Sequence, residues 1–293
     1  MNFYLLPLSS YNAINPETVL VIESLIKELV DHGDSFIVPV DFYTTQDKDH
    51  FDFTSIIETS YTVNHDELSL LVDLVFKSKT SDLTYEELFE IVRTQNDVRE
   101  EYTGFIKDSY EDESPVNRFT TTDEKTLRIV YRNIAASFDE YGHLYDWRER
   151  CFPQLLFTKY AFENSEKIGS YRENFCEIQK CLAVLNDEGQ KLYQKRTEDE
   201  TISALQSTSG VRCSGKGANE SSTFKKKVRY RTGKSRFVEF EISCIPHFKL
   251  DNAYSDKRLH FSWGRDEIEK HKIIVVHIGE HWKKENGVLS VIE

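Results

Sequence analysis

No stretch of this chain holds eighteen consecutive apolar residues, so a membrane-spanning helix is not expected and no membrane partner follows. The opening segment MNFYLLPLSS lacks the basic start and small-residue cleavage site of a signal peptide, and the expectation is a cytoplasmic protein. Cysteine is sparse: Cys151, Cys176, Cys181, Cys213 and Cys244 are odd in number and show no CxxC spacing. That supports neither a disulfide framework nor a zinc ribbon, and reduced thiols are the default. HExxH, GxSxG and helical H-x3-H patterns are missing too, so neither a metal nor another cofactor is expected. Glycine (12) and proline (6) are too few, and repeats too scarce, for a low-complexity or fibrous chain. With 39% hydrophobic and 13% aromatic residues among 293, the sequence can bury real cores.

Charge is present but unevenly divided. Residues 1–210 carry 20 Lys+Arg against 39 Asp+Glu, whereas residues 211–293 carry 17 against 11 and five of the nine histidines. A net negative body joined to a net positive tail points to a polyanion as the tail's partner, RNA in the favoured case, or to docking of tail on body. Because the whole chain is net −13, any nucleic-acid contact has to be local. The acidic body is a candidate surface for a protein partner.

Local patterns predict an α+β protein: an acidic α/β and helical body over 1–206, a linker at 207–222, and a small basic antiparallel β domain over 223–293. Residues 2–8 read as a strand. Asn15-Pro16-Glu17 then supplies an N-cap, an N1 proline and a first-turn acid for a helix ending at Gly33. A second β-rich run, 35–43, completes a strand–helix–strand unit whose strands can pair in parallel. Asn64 with Glu67 and Thr84 with Glu87 have capping-box spacing ahead of helices near 66–77 and 85–101. The polar stretch 108–123 reads as a loop and a possible subdomain border, and helical spacing resumes through 126–200. Within the linker, Gly210 to Gly217 nearly spells a phosphate-binding loop but has Gly217 where the magnesium-holding hydroxyl belongs, which argues against a nucleotide site.

In the tail, four β-rich runs at 224–232, 235–245, 258–263 and 272–278 suggest a four-stranded meander, the first two joined by a tight turn at Thr232-Gly233-Lys234. Period-two alternation puts Val228, Tyr230, Val238, Phe240, Ile242, Leu259, Phe261 and Trp263 on an apolar face. Arg229, Arg231, Glu239, Glu241, Arg258 and His260 fall on the other. The fourth strand is apolar on both faces apart from His277 and should lie centrally, with His281 just past its end. Such a face has the groups for metal-free RNA cleavage: a carboxylate or imidazole to take the 2′-hydroxyl proton, a second imidazole to protonate the leaving oxygen, and arginines to hold phosphate charge. The same residues also read as ordinary cross-strand ion pairs on a solvated face. Lys225, Lys226, Lys227, Arg229 and Lys249 are the candidate nucleic-acid contacts.

The order Arg258-Leu-His-Phe-Ser-Trp263, an acidic turn, Lys272-Ile-Ile-Val-Val-His-Ile-Gly279 and a closing His281-Trp282 resembles the last strands of the RelE/ParE/YoeB-type toxin fold over about 70 residues. The resemblance implies a ribosome-dependent mRNA endonuclease. Arg258 would stand for the arginine that opens the penultimate strand, and His281 for the terminal catalytic side chain. Together with the polar-face residues Arg231, Glu241 and His260, these two make up the expected catalytic group, Arg231, Glu241, Arg258, His260 and His281. Two functions stay open: a toxin-like or phage-defence ribonuclease, and a non-enzymatic interaction or regulatory subunit of a defence or nucleic-acid-processing complex.

Overall fold

The computed structural model describes residues 1–5, 16–45, 53, 55, 65–94, 103–106, 119–215, 225–232, 236–251, 255–281 and 290–292. It is an α+β protein that divides into two compact units, Met1–Ser137 and Phe138–Glu293. No helix among the described residues is long and apolar enough to cross a membrane.

The first unit is built on a wholly parallel sheet. Strands β1 (Asn2–Leu5), β2 (Ser35–Val38), β3 (Lys79–Thr80), β4 (Thr103–Ile106) and β5 (Thr120–Thr121) lie in the order β3-β2-β1-β4-β5. The expected strand–helix–strand unit is there, with Phe3 beside Phe36 in parallel register and helix α1 (Pro16–Asp31) between the strands. Phe3, Leu5, Val38, Phe105 and Ile106 are buried, as in strands covered on both faces, which is why these runs are apolar without alternation. Helix α1 buries Val19, Ile22, Leu25, Ile26 and Leu29 along one stripe and ends at Gly33, whose φ of 73° suits glycine. Helices α2 (His65–Lys77), α3 (Tyr85–Thr94) and α4 (Glu124–Ala135) complete the unit.

Thr84 and Glu87 make the reciprocal capping bonds their spacing predicts, Thr84 N to Glu87 Oε2 at 2.8 Å and Glu87 N to Thr84 Oγ1 at 3.3 Å. The Asn64–Glu67 cap rests on Asn64, which lies outside the described residues, as do 95–101 of the second predicted helix. Of the predicted loop at 108–123, residues 108–118 also lie outside them; Thr120 and Thr121 form edge strand β5, and Asp123 caps α4. Strand order reverses between β1 and β4, where open parallel sheets place a crevice, but the segments leaving Leu5 and Ile106 are outside the described residues.

The second unit contains helices α5 (Tyr141–Asp146), α6 (Arg148–Cys151), α7 (Tyr171–Val184), α8 (Gln190–Lys195) and α9 (Glu198–Ser209). Strands β6 (Leu155–Phe157), β7 (Cys213–Ser214), β10 (His247–Lys249), β11 (Lys257–Ser262) and β12 (Ile273–Glu280) make a five-stranded sheet of order β6-β12-β11-β10-β7. Strands β8 (Lys225–Thr232), β9 (Arg236–Ser243) and β13 (Ser290–Ile292) make a separate three-stranded sheet of order β13-β8-β9. The single four-stranded meander is therefore not what forms. After β9 the chain runs through Cys244-Ile245-Pro246 and enters a different sheet; Pro246 has no N–H to extend β9's ladder, and its carbonyl accepts from Phe261 N at 3.0 Å. The two sheets share a core of Val228, Ile242, Cys244, Ile268, Ile274, Val276 and Ile292, with Leu156, Tyr230 and Phe240 packed on it.

Strand β12 lies between β6 and β11, central as its two apolar faces predict. Its partner β6 comes from the stretch read as purely helical, pairing Ile273 with Leu155 in parallel. Of the predicted linker 207–222, residues 216–222 lie outside the described residues and 207–215 are ordered into elements: α9 runs to Ser209, Gly210 caps it at φ 70°, and Cys213–Ser214 form β7 beside β10. Residues 138–206 and the tail thus share a sheet, and the division between compact units falls at Ser137/Phe138 instead of within 207–222.

Between β11 and β12 the chain turns back so closely that a Cβ on Gly264 would sit 1.7 Å from the carbonyl oxygen of His271. That atom is backbone and can yield only if the turn moves. Gly264→Ala is expected to destabilise the second unit by about 3 kcal/mol, an overpacking cost, as a lower urea midpoint followed by tryptophan fluorescence. An unchanged midpoint would show that the turn yields freely.

Candidate nucleic-acid interface and a buried histidine row

The β8–β9 register, Lys225 opposite Ser243 through Thr232 opposite Arg236, fixes which side chains look outward. Val228 and Ile242 are buried on the core side, so Lys225, Lys227, Arg229 and Arg231 alternate onto the exposed side of β8. Opposite them on β9 stand Phe237, Glu239, Glu241 and Ser243, all exposed. Lys225 Nζ lies 3.6 Å from Glu241 Oε2, and Arg229 Nε 3.9 Å from Glu239 Oε1. These exposed pairs are worth roughly 0–1 kcal/mol each and leave the row cationic, four positive groups against two negative. The Arg229 guanidinium lies over the Phe237 ring, 4.3 Å from its centroid, and Phe237 is 45% exposed. Charge and motif alone do not mark Phe237 as a contact. Its parity with Glu239 and Glu241, opposed to Val238 and Phe240, was the available signal.

Two candidate contacts belong elsewhere. Lys226 shares the core-side parity of Val228 and acts electrostatically on the buried Cys244 thiol. Lys249 is on β10, opposite Arg258 in the five-stranded sheet. The Thr232-Gly233-Lys234 turn and residues 216–224 lie mostly outside the described residues, so the phosphate-loop lookalike is seen only to Gly215, as a helix cap and a short strand.

The catalytic set is likewise split. Arg231 and Glu241 are on the outward side of the hairpin, whereas Arg258 and His260 are 7% and 2% exposed in the other sheet. All of Arg258 to Ser262 is buried, so the expected polar face of β11 is covered instead of solvated. Arg258 donates from Nη1 to the carbonyls of Lys257, at 2.8 Å, and Ser255, which binds the guanidinium to the backbone at its own strand's start.

His260 stands in a row that sequence alone did not align. Strand register places His247 opposite His260 and His260 opposite His277, so three neighbouring strands each contribute one imidazole. Ring centroids are 4.9 Å apart for His247 and His260 and 6.2 Å for His260 and His277. His281, half-buried beyond β12, lies 5.9 Å from His260 and 6.2 Å from His247. His247 Nδ1 and His260 Nδ1 donate to the carbonyls of Ile245 and Cys244 at 2.8 and 2.9 Å, and His277 Nε2 donates to that of Glu280 at 3.0 Å. Because a carbonyl only accepts, each bond fixes which ring nitrogen keeps its proton. Burial holds the His260 pKa well below the ordinary imidazole range; His247, His277 and His281 add to this, against the opposing effect of the Cys244 hydrogen bond.

Among the described residues no three His, Cys, Asp or Glu side chains are placed to hold a metal ion. Burial raises the thiols of Cys213 and Cys244 to about 12, which keeps both protonated and poorly nucleophilic at neutral pH. A row of buried imidazoles, each of His247, His260 and His277 bonded to a backbone carbonyl, is suited to joining three strands and poorly suited to touching a polymer. The outer side of β8–β9 has the opposite properties. No known protein family, curated protein or solved structure matches the chain.

Proposed function

We propose that this chain is a nucleic-acid-binding effector, with RNA as the favoured ligand, and that it binds through the outer side of the β8–β9 hairpin. The observation that carries this reading is the row Lys225, Lys227, Arg229 and Arg231, exposed along one strand of a chain that is net −13 overall. Residues 138–210 add 9 Lys+Arg and 13 Asp+Glu to the tail's 17 and 11, so the second unit as a whole is only net +2 and its positive potential is concentrated, not general. Screening over about 8 Å at physiological salt makes that local row, more than the total charge, the field a phosphate meets. The ribonuclease part of the reading needs a proton-transfer group within reach of substrate, and of the expected imidazoles the half-buried His281 is the more accessible.

Fluorescence anisotropy of the full chain with a labelled RNA tests the binding. Four phosphate contacts on a single strand give a slope of about −2.8 in log affinity against log salt, so affinity should fall about 50-fold between 50 and 200 mM. A slope near zero, or no binding at 50 mM, would overturn the proposal. Gel analysis of the same mixtures separates binding from cleavage: RNA cut by the wild type and left intact by His281→Ala would support an endonuclease, and uncut RNA would leave a binding protein.

A further inference from the structure

We infer that the nucleic acid this surface accepts is single-stranded and extended, running along β8 with an unpaired base stacked on the Phe237–Arg229 pair. The inference rests on the binding reading above and adds the ligand's form. The first support is spacing. Outward side chains on a strand recur every second residue, about 6.8 Å, so Lys225, Lys227, Arg229 and Arg231 form a straight row of cations at that interval. Each strand of a DNA duplex advances only about 3.4 Å along its axis per phosphate and winds away from a line, whereas an extended single strand is held neither to that rise nor to that winding. A straight row therefore matches successive phosphates of an extended strand better than those of a helix.

The second support is chemical and independent of charge. Phe237 opposes Arg231 across the hairpin and stands on the same outward side, 45% exposed, with the Arg229 guanidinium 4.3 Å from its ring centroid. An exposed aromatic ring among surface charges costs hydration unless something covers it, and a guanidinium lying over it makes a planar platform. Bases stack on aromatic rings and on guanidinium planes alike, but only when they are unpaired and free of their own neighbours. In a duplex those base planes are occupied, so Phe237 adds affinity for a single strand and nothing for a double one.

Arg229 serves both supports, reaching phosphate and ring, whereas Phe237 serves only the second. That separation makes the inference testable. Full-length protein is titrated with a labelled 12-nucleotide RNA, its DNA equivalent and the corresponding RNA duplex, in the wild type and in Phe237→Ala. The expected result is at least tenfold tighter binding of the single-stranded RNA than of the duplex, a loss of about fivefold or more for single strands in Phe237→Ala, and duplex binding unchanged. Phe237→Tyr, which keeps the ring, should restore single-strand affinity and so exclude a folding defect. Equal affinity for single strand and duplex, with Phe237→Ala without effect, would overturn the inference while leaving nucleic-acid binding in place; absence of binding to all three would overturn both. Single-stranded RNA and DNA bound alike would support an extended-strand platform indifferent to the 2′-hydroxyl, and RNA bound more tightly would support one that reads it.

Discussion

Replacing Lys225, Lys227, Arg229 and Arg231 together by glutamine is expected to reduce affinity for single-stranded RNA by on the order of 10³-fold at 50 mM salt. The figure follows from counterion release: four contacts at about −0.7 each in the salt slope contribute about 3.6 decades at that concentration. The slope itself should fall from about −2.8 toward zero, and intermediate variants should lose it in steps of about 0.7 per cation. Because all four side chains are exposed and their partners Glu239 and Glu241 are exposed too, the variant should keep its fold, with an unchanged near-ultraviolet circular dichroism spectrum. Lys226→Gln serves as a contrast, since that side chain is on the core side of the hairpin. A quadruple variant that keeps both affinity and slope would move the interface elsewhere on the molecule.

Acidification should unfold the second unit before ordinary carboxylate chemistry accounts for it. In the folded chain His260 is held well below the ordinary imidazole range, first by burial and then by the nearby rings of His247, His277 and His281, against the opposing effect of its hydrogen bond to the Cys244 carbonyl. An unfolded imidazole takes up a proton near pH 6.5, and the folded one does not until well below that. Between those two values the unfolded state binds more protons, so stability is fully present above pH 6.5 and is lost as pH falls toward the folded value. One such group gives a slope of at most about 1.4 kcal/mol per pH unit. The three tryptophans, Trp147, Trp263 and Trp282, all belong to the second unit, so their fluorescence in urea melts at stepped pH follows it alone. His260→Asn keeps a donor for the Cys244 carbonyl but cannot take the proton, and its stability should depend on pH with a slope shallower by one proton. Identical pH profiles for the two proteins would show that His260 titrates in the fold as it does unfolded.

How far the sequence could be read depended on whether a feature was local. The cap at Thr84 and Glu87, the stop at Gly33 and the buried run of β12 are decided by neighbours within a few residues, and all three stand as their spacing predicts. Alternation in β8 and β9 was equally legible, and it placed Arg229, Arg231, Glu239 and Glu241 outward correctly. The same rule applied to β11 assigned Arg258 and His260 to a polar face, and there it misled. Alternation says which side chains share a side of a strand but not what covers that side. The carbonyls of Cys244 and Ile245, which accept from the buried His260 and His247 rings, come from a connection whose path no periodicity records. Joining the hairpin and β11–β12 into one meander failed for the same reason, as did ending the second unit's sheet at 223 when β6 enters it from 155–157.

The chain's own composition and spacing determined that it folds as α+β, that it opens with a strand–helix–strand unit able to pair its strands in parallel, and that positive charge concentrates on an amphipathic hairpin near its end. The tertiary structure alone decided that this hairpin joins β13 in a sheet separate from β11 and β12, with its cations exposed, and that the histidines, far apart in sequence, form a buried row opposed to one another across strands. The division is physical. Charge and alternation are properties of neighbouring residues, whereas exposure and lateral register depend on which distant strand packs alongside.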